Sequence, residues 1–168
     1  MSALLIAGSP SERSRSAALL DAVAQRLSVR GALVDRIHVR DLSPQALLLA
    51  DFAHPTVARA IDQVAQARVL VVSTPVYKAA YSGVLKVFLD LLPQTALQSL
   101  GAKSILPGIY ATDAQVALTP EGAYHLGDDI ATRLDDAVNV LVTETLRPSP
   151  AQATRFAPVP FSQVRCSV

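Results

Sequence analysis

Two short stretches of this sequence gather residue types that suit a flat, anionic ligand. The first, Gly8-Ser9-Pro10-Ser11-Glu12-Arg13-Ser14-Arg15-Ser16, presents four serine hydroxyls and two guanidinium groups just before a helical pattern. Hydroxyls, free N–H groups at the positive end of a helix dipole and an arginine fork together suit a terminal phosphate. No Gly-Lys-Ser/Thr follows and Gly-x-Gly-x-x-Gly is missing, so the loop reads as a mononucleotide site, not as a P-loop or a dinucleotide fingerprint. A helix capped by Ser14 or Ser16, with both arginines in solvent, explains the same residues. On this loop alone the two readings weigh the same.

The second stretch runs from Thr74 to Gly83. Pro75 makes its start rigid, Tyr77 and Tyr81 supply aromatic surface beside Lys78, and Ser82-Gly83 allows close backbone approach before a further helix. A polar-edged ring against this loop, with its phosphate in the first, describes flavin mononucleotide (FMN). The plainer alternative packs the tyrosines on the helix and leaves Lys78 and Lys86 solvated; for Lys86, inside the helix, that alternative is preferred. His38, His54 and His125 fall in separate segments without ligand spacing, which predicts surface or capping roles and no metal site. Asp128, Asp129, Asp135 and Asp136 read as a solvated helix face, and Asp90 as structural.

The elements that would position these loops alternate. Ala3 to Ala7 is a short apolar run that suits a strand buried on both faces, and Ser14 to Arg30 has helical spacing ended by Gly31. Ala32 to Val39 alternates as a half-buried edge strand does. Pro55 opens a helix with Val57, Ile61, Val64 and Ala65 on one face. Val69-Leu70-Val71-Val72 reads as a central parallel strand, and the helix after it, with Val84, Leu85, Phe88, Leu89 and Leu92, closes at Pro93. Ser104 to Ala111 is a weaker strand, interrupted by Pro107 and Gly108. A last helix runs from about Leu126 to Leu146, with Ile130, Leu134, Val138 and Leu141 on one face. This pattern predicts a doubly wound parallel sheet in an α/β/α sandwich, with ligands at the carboxyl ends of the strands where the winding reverses.

Length and composition agree. A chain of 168 residues, 51% apolar and 17% charged, builds one domain with a real core, expected over residues 1–147 and followed by a proline-rich irregular tail over 148–168. A net charge of +1 argues against nucleic-acid binding through many phosphates. The single cysteine, Cys166, excludes a disulfide framework and a cysteine-based zinc site within the chain. Met1 to Gly8 lacks the basic start and cleavage pattern of a secretion signal, and no apolar run approaches the roughly 20 residues that span a bilayer. The expectation is a cytoplasmic protein.

With these residues in view, the chain resembles the flavodoxin-like NADPH-dependent FMN reductases, and among them the branch that serves sulfonate assimilation. The resemblance rests on Gly8-Ser9-Pro10 with Ser14-Arg15-Ser16, on the block from Ser73 to Gly83 with Leu85-Lys86, and on Leu89-Asp90-Leu91-Leu92-Pro93. It implies that Ser9, Ser14, Arg15 and Ser16 hold the FMN phosphate and that Pro75, Val76, Tyr77 and Ser82 meet the ring. It also implies hydride transfer from nicotinamide C4 to flavin N5, with reduced FMN passed to a monooxygenase. The cofactors carry that chemistry, so no general acid or base is expected of the protein.

The chain departs from that family in one respect. Gly101-Ala102-Lys103 runs straight into Ser104-Ile105-Leu106, so one strand, turn and helix unit of the family is expected to be missing, leaving about four strands. Three repairs follow: Ile105 to Ala111 slides in beside the third strand and brings Thr112 and Asp113 to the pocket rim, a second subunit covers the gap, or the site is incomplete. An uncovered apolar face would favour a homo-oligomer. Competing readings are a non-catalytic or impaired flavin-binding module and a quinone or azo reductase of the same fold.

Overall fold

Ala3, Leu4, Leu5, Ile6 and Ala7 are each at most 2% exposed, so the first strand sits at the centre of the molecule. In this computed structural model, which describes residues 2–92 and 105–146, β1 (Ser2–Ala7) is flanked by β2 (Leu33–His38) and β3 (Val69–Ser73). Both neighbours are parallel to it, with Ala7 opposite His38 on one side and Ser73 on the other. This is the α/β flavodoxin-like fold.

The order β2-β1-β3 reverses direction after β2, so crossovers of one hand place successive helices on opposite faces. On one face Ala3, Leu5 and Ala7 meet Leu20, Val23 and Leu27 of α1 (Arg15–Val29), together with Ile130, Leu134 and Val138 of α5 (Asp128–Leu146). On the other, Leu4 and Ile6 meet Val57, Ala60 and Val64 of α3 (Pro55–Gln66) and Leu85, Phe88 and Leu91 of α4 (Gly83–Leu91). A short α2 (Pro44–Leu48) adds Ala46 and Leu47 to that second layer.

Local signals explain the element ends. The Ser14 hydroxyl caps α1 by accepting the Ala17 N–H at 3.0 Å, and Gly31 leaves the helix at a φ of 78°. His54 caps α3, whose first residue is Pro55. Leu33 is exposed and Ile37 buried, as an edge strand requires. Ala65, expected on the buried face of α3, is exposed, and Ala60 takes that place.

Three expectations need correction. Among the described residues Val69 to Val72 is not the central strand: β3 pairs only with β1, and Val72 is exposed. Its apolar run packs Leu70 on one layer and Val71 on the other, both partly buried, and does not require two lateral neighbours. Residues 105–111 form no strand, although Ile109 and Ala111 pack on the α1/α5 layer; Pro107 has no N–H to offer a ladder. The sheet among the described residues therefore has three parallel strands. The stretch before α5 holds an unforeseen hairpin, β6 (Val116–Leu118) with β7 (Tyr124–Leu126), which takes Leu126 out of the expected helix. Pro93, residues 101–104, Cys166 and the tail expected over 148–168 lie outside the described residues. Among the described residues no helix is long and apolar enough to cross a membrane.

Phe88 is fully buried between β1 and the helices that cover it, so its truncation leaves a large void. Phe88→Ala should cost about 3–5 kcal/mol in urea unfolding; a loss below 1 kcal/mol would show that this layer repacks freely.

Candidate functional site

The loops after β1 and β3 leave the sheet side by side at its switch point, where the winding reverses. They are locked together. Gly8 N–H donates to the Ser73 carbonyl at 2.7 Å, the Ser73 hydroxyl donates to the Ser16 carbonyl at 2.7 Å, and the Ser82 hydroxyl donates to the Gly8 carbonyl. A Cβ on Gly8 would stand 2.9 Å from Leu85, so only glycine lets α4 come this close to the first loop.

In the first loop, Ser9 is 2% exposed and its hydroxyl accepts the Ser11 N–H at 3.1 Å, which folds the turn. Ser14 and Ser16 bring their hydroxyl oxygens within 3.0 Å of each other at the start of α1. The N–H groups of Arg15 and Ser16, first in that helix, have no intrahelical acceptor. Arg15 does not hang in solvent: its Nε donates to the Val116 carbonyl at 2.9 Å and its Nη1 lies 3.4 Å from Asp113 Oδ2. Arg13 likewise donates to the Thr119 carbonyl. Both guanidiniums thus seat the β6–β7 hairpin against the loop, a role the residue types could not reveal.

The second loop is itself a hairpin, β4 (Val76–Tyr77) with β5 (Ala80–Tyr81). Its base is closed by the Ser82 N–H donating to Thr74 Oγ1 at 3.0 Å, and its tip places Lys78 and Ala79 at φ of 49° and 62°. Two side-chain-bearing residues in the left-handed region store strain that this short turn imposes. Val76, Tyr77 and Tyr81 are exposed and form a ready apolar platform, and Pro75 is half-buried beside them. Ser82 is different. It is 1% exposed, caps α4 at Leu85 and bonds Gly8, so it holds the loops together and offers nothing to a ring.

Several of the remaining titratable residues have local partners. His54 caps α3 as expected, with Nδ1 accepting the Thr56 N–H, and His125 is exposed. His38 neither caps nor lies free: its Nδ1 is buried without a partner at the end of β2. Asp90 pairs with Lys86 one turn earlier, and that hydrogen bond raises the Lys86 ammonium above its ordinary value. Asp135 is half-exposed, and it also binds Arg26 of α1 at 3.0 Å and fastens α5 to that helix. Arg40, which no sequence signal singled out, donates to the Ser11 carbonyl at 2.7 Å and steadies the first loop from the end of β2. No metal cluster occurs among the described residues. A hollow of about 100 Å³ lies between Arg13, Ser14 and Asp21 and the hairpin residues Leu118 and Tyr124; none of Pro75, Val76 and Tyr77 lines it.

The profile of a family described as NADPH-dependent FMN reductase matches residues 1–119. The FMN reductase (NADPH) of Pseudomonas putida is 39% identical over 176 residues, covering 86% of this chain and 89% of that one. The enzyme of the same name from Escherichia coli is 35% identical over 170 residues, covering 82% and 86%. The chain belongs to the NADPH-dependent FMN reductase family. The apo crystal structure of an NADH:FMN oxidoreductase (EMOB) superposes with a TM-score of 0.75 at 28% identity, over 97% of this chain and 99% of that one.

The residues present suit this family's flavin. Two facing hydroxyls, two free helix N–H groups and a guanidinium form a donor set for a phosphate monoester, and the exposed Val76–Tyr77 edge suits an aromatic ring. Because Ser82 satisfies a buried carbonyl and caps α4, Ser82→Ala should destabilise the protein by about 1–3 kcal/mol in thermal or urea unfolding. A Ser82→Ala protein as stable as the parent would remove this residue from the junction.

Proposed function

We propose that the protein is a cytoplasmic FMN reductase that takes its reducing equivalents from NADPH and supplies reduced FMN to a sulfonate monooxygenase. The observation that carries the reading is the junction of the two loops, with phosphate donors on one and an aromatic edge on the other, in a chain of this family. Ser14, Ser16, the first N–H groups of α1 and Arg15 hold the phosphate. Pro75, Val76 and Tyr77 support the ring, Ser82 and Gly8 keep the two loops in register, and Ser9, expected as a phosphate ligand, folds the first loop through its bond to Ser11. When bound, FMN supplies the acceptor for a hydride from the nicotinamide. The protein's own contribution is orientation and the exclusion of water by Tyr77 and Tyr81, and no side chain moves a proton.

The sulfonate branch and its monooxygenase rest on the block from Ser73 to Gly83. The proposal also includes a missing unit. The 176 positions aligned with the Pseudomonas putida enzyme take up 86% of 168 residues, about 144, so about 30 positions have no counterpart here, and the Escherichia coli alignment falls short similarly. That shortfall also favours a second reading, a flavin-binding module with impaired catalysis. The exposed Val72, Val76, Tyr77 and Tyr81 support a homo-oligomer.

Purified protein with FMN and NADPH, followed by NADPH absorbance, decides between the readings. Steady oxidation is expected; flavin fluorescence quenched on binding without NADPH oxidation would leave only the module. Replacing Ser14 by alanine should weaken FMN about ten-fold or more and riboflavin much less; equal losses would refute the phosphate assignment.

A further inference from the structure

We propose that Asp113 is a built-in competitor for the flavin phosphate, holding the fork of Arg15 when the site is empty and yielding it when FMN binds. The inference rests on the reading of Arg15 as a phosphate ligand. Arg15 stands between Ser14 and Ser16 at the first position of α1, and its Nε is fixed by the carbonyl of Val116, a residue that is 0% exposed. That anchor holds the guanidinium against the start of β6 whichever anion it serves. The other edge of the fork is taken by Asp113, with Nη1 to Oδ2 at 3.4 Å.

Asp113 is well placed to let go. Its side chain is 85% exposed, it lies in the turn that leads into β6, and Arg15 is its one ion-pair partner among the described residues. Releasing it strands no buried charge. A phosphate monoester carries nearly twice the charge of a carboxylate and three acceptor oxygens, so it displaces Asp113 from the shared fork. Each binding event must break that pair, which lowers the affinity for the phosphate without touching the ring platform. A protein that hands on its flavin after every turnover gains faster release from this arrangement.

The test is a fluorescence-quenching titration of the full chain with FMN and, separately, with riboflavin, which lacks the phosphate. Since exposed ion pairs are weak, Asp113→Asn should tighten FMN about two- to five-fold and leave riboflavin unchanged. Asp113→Glu, which keeps the charge, should bind both as the parent does. An Asp113→Asn protein whose FMN affinity is unchanged or lower, or whose two affinities shift together, overturns the proposal. Arg15→Ala separates the two levels of the argument. Loss of the preference for FMN over riboflavin upholds the phosphate reading, so a silent Asp113→Asn would then sink only the competitor role. A preference that survives Arg15→Ala refutes the phosphate reading and the competitor with it. Unchanged melting temperatures, expected at so exposed a position as Asp113, exclude a folding effect.

Discussion

The architecture of the site depends on one buried hydroxyl. Ser82 donates to the Gly8 carbonyl and accepts the Leu85 N–H, so one side chain joins the loop after β1, the loop after β3 and the start of α4. The close approach this needs is available because position 8 has no Cβ to meet Leu85. A buried carbonyl with no donor would cost more than the bond itself contributes, so this contact is specified, not optional. The phosphate donors and the aromatic edge therefore keep a fixed relation although they come from loops 66 residues apart, Gly8 to Thr74.

That fixed relation suits chemistry in which the protein reacts with nothing. Hydride transfer between two cofactors asks for stacking and dryness. The described residues offer an exposed aromatic edge beside a serine-rich helix start, while His54, Asp90 and Asp135 are engaged in a cap and ion pairs and His38 keeps a buried Nδ1 without a partner. The strain at Lys78 and Ala79 fits the same picture, since a two-residue turn is the shortest way to present Val76 and Tyr77 at the strand end.

The arginines of the first loop carry two duties. Through Val116 and Thr119 they seat a hairpin that the parallel sheet does not hold, and Arg15 also meets the carboxylate of Asp113. The same loop that carries the proposed phosphate donors therefore braces a neighbouring segment.

Sequence alone determined the alternation of buried strand and amphipathic helix, the serine-rich turn, and the proline-led turn that carries Val76 and Tyr77. Each of these is a local property, since periodicity, caps and turn residues act within a few positions. What surrounds each element was decided only by the tertiary structure. The apolar run of β3 is silent about lateral neighbours, so the sequence placed it centrally where, among the described residues, β1 stands. Ser82 looked like a ring contact because a serine before Gly83 is exposed or buried according to what lies above it, and what lies above it is Gly8. Arg15 and Asp113 are 98 positions apart, and the carboxylate's partner emerges only when the hairpin folds back on α1. Pairings across such distances depend on how the layers close, and no local pattern records that closure.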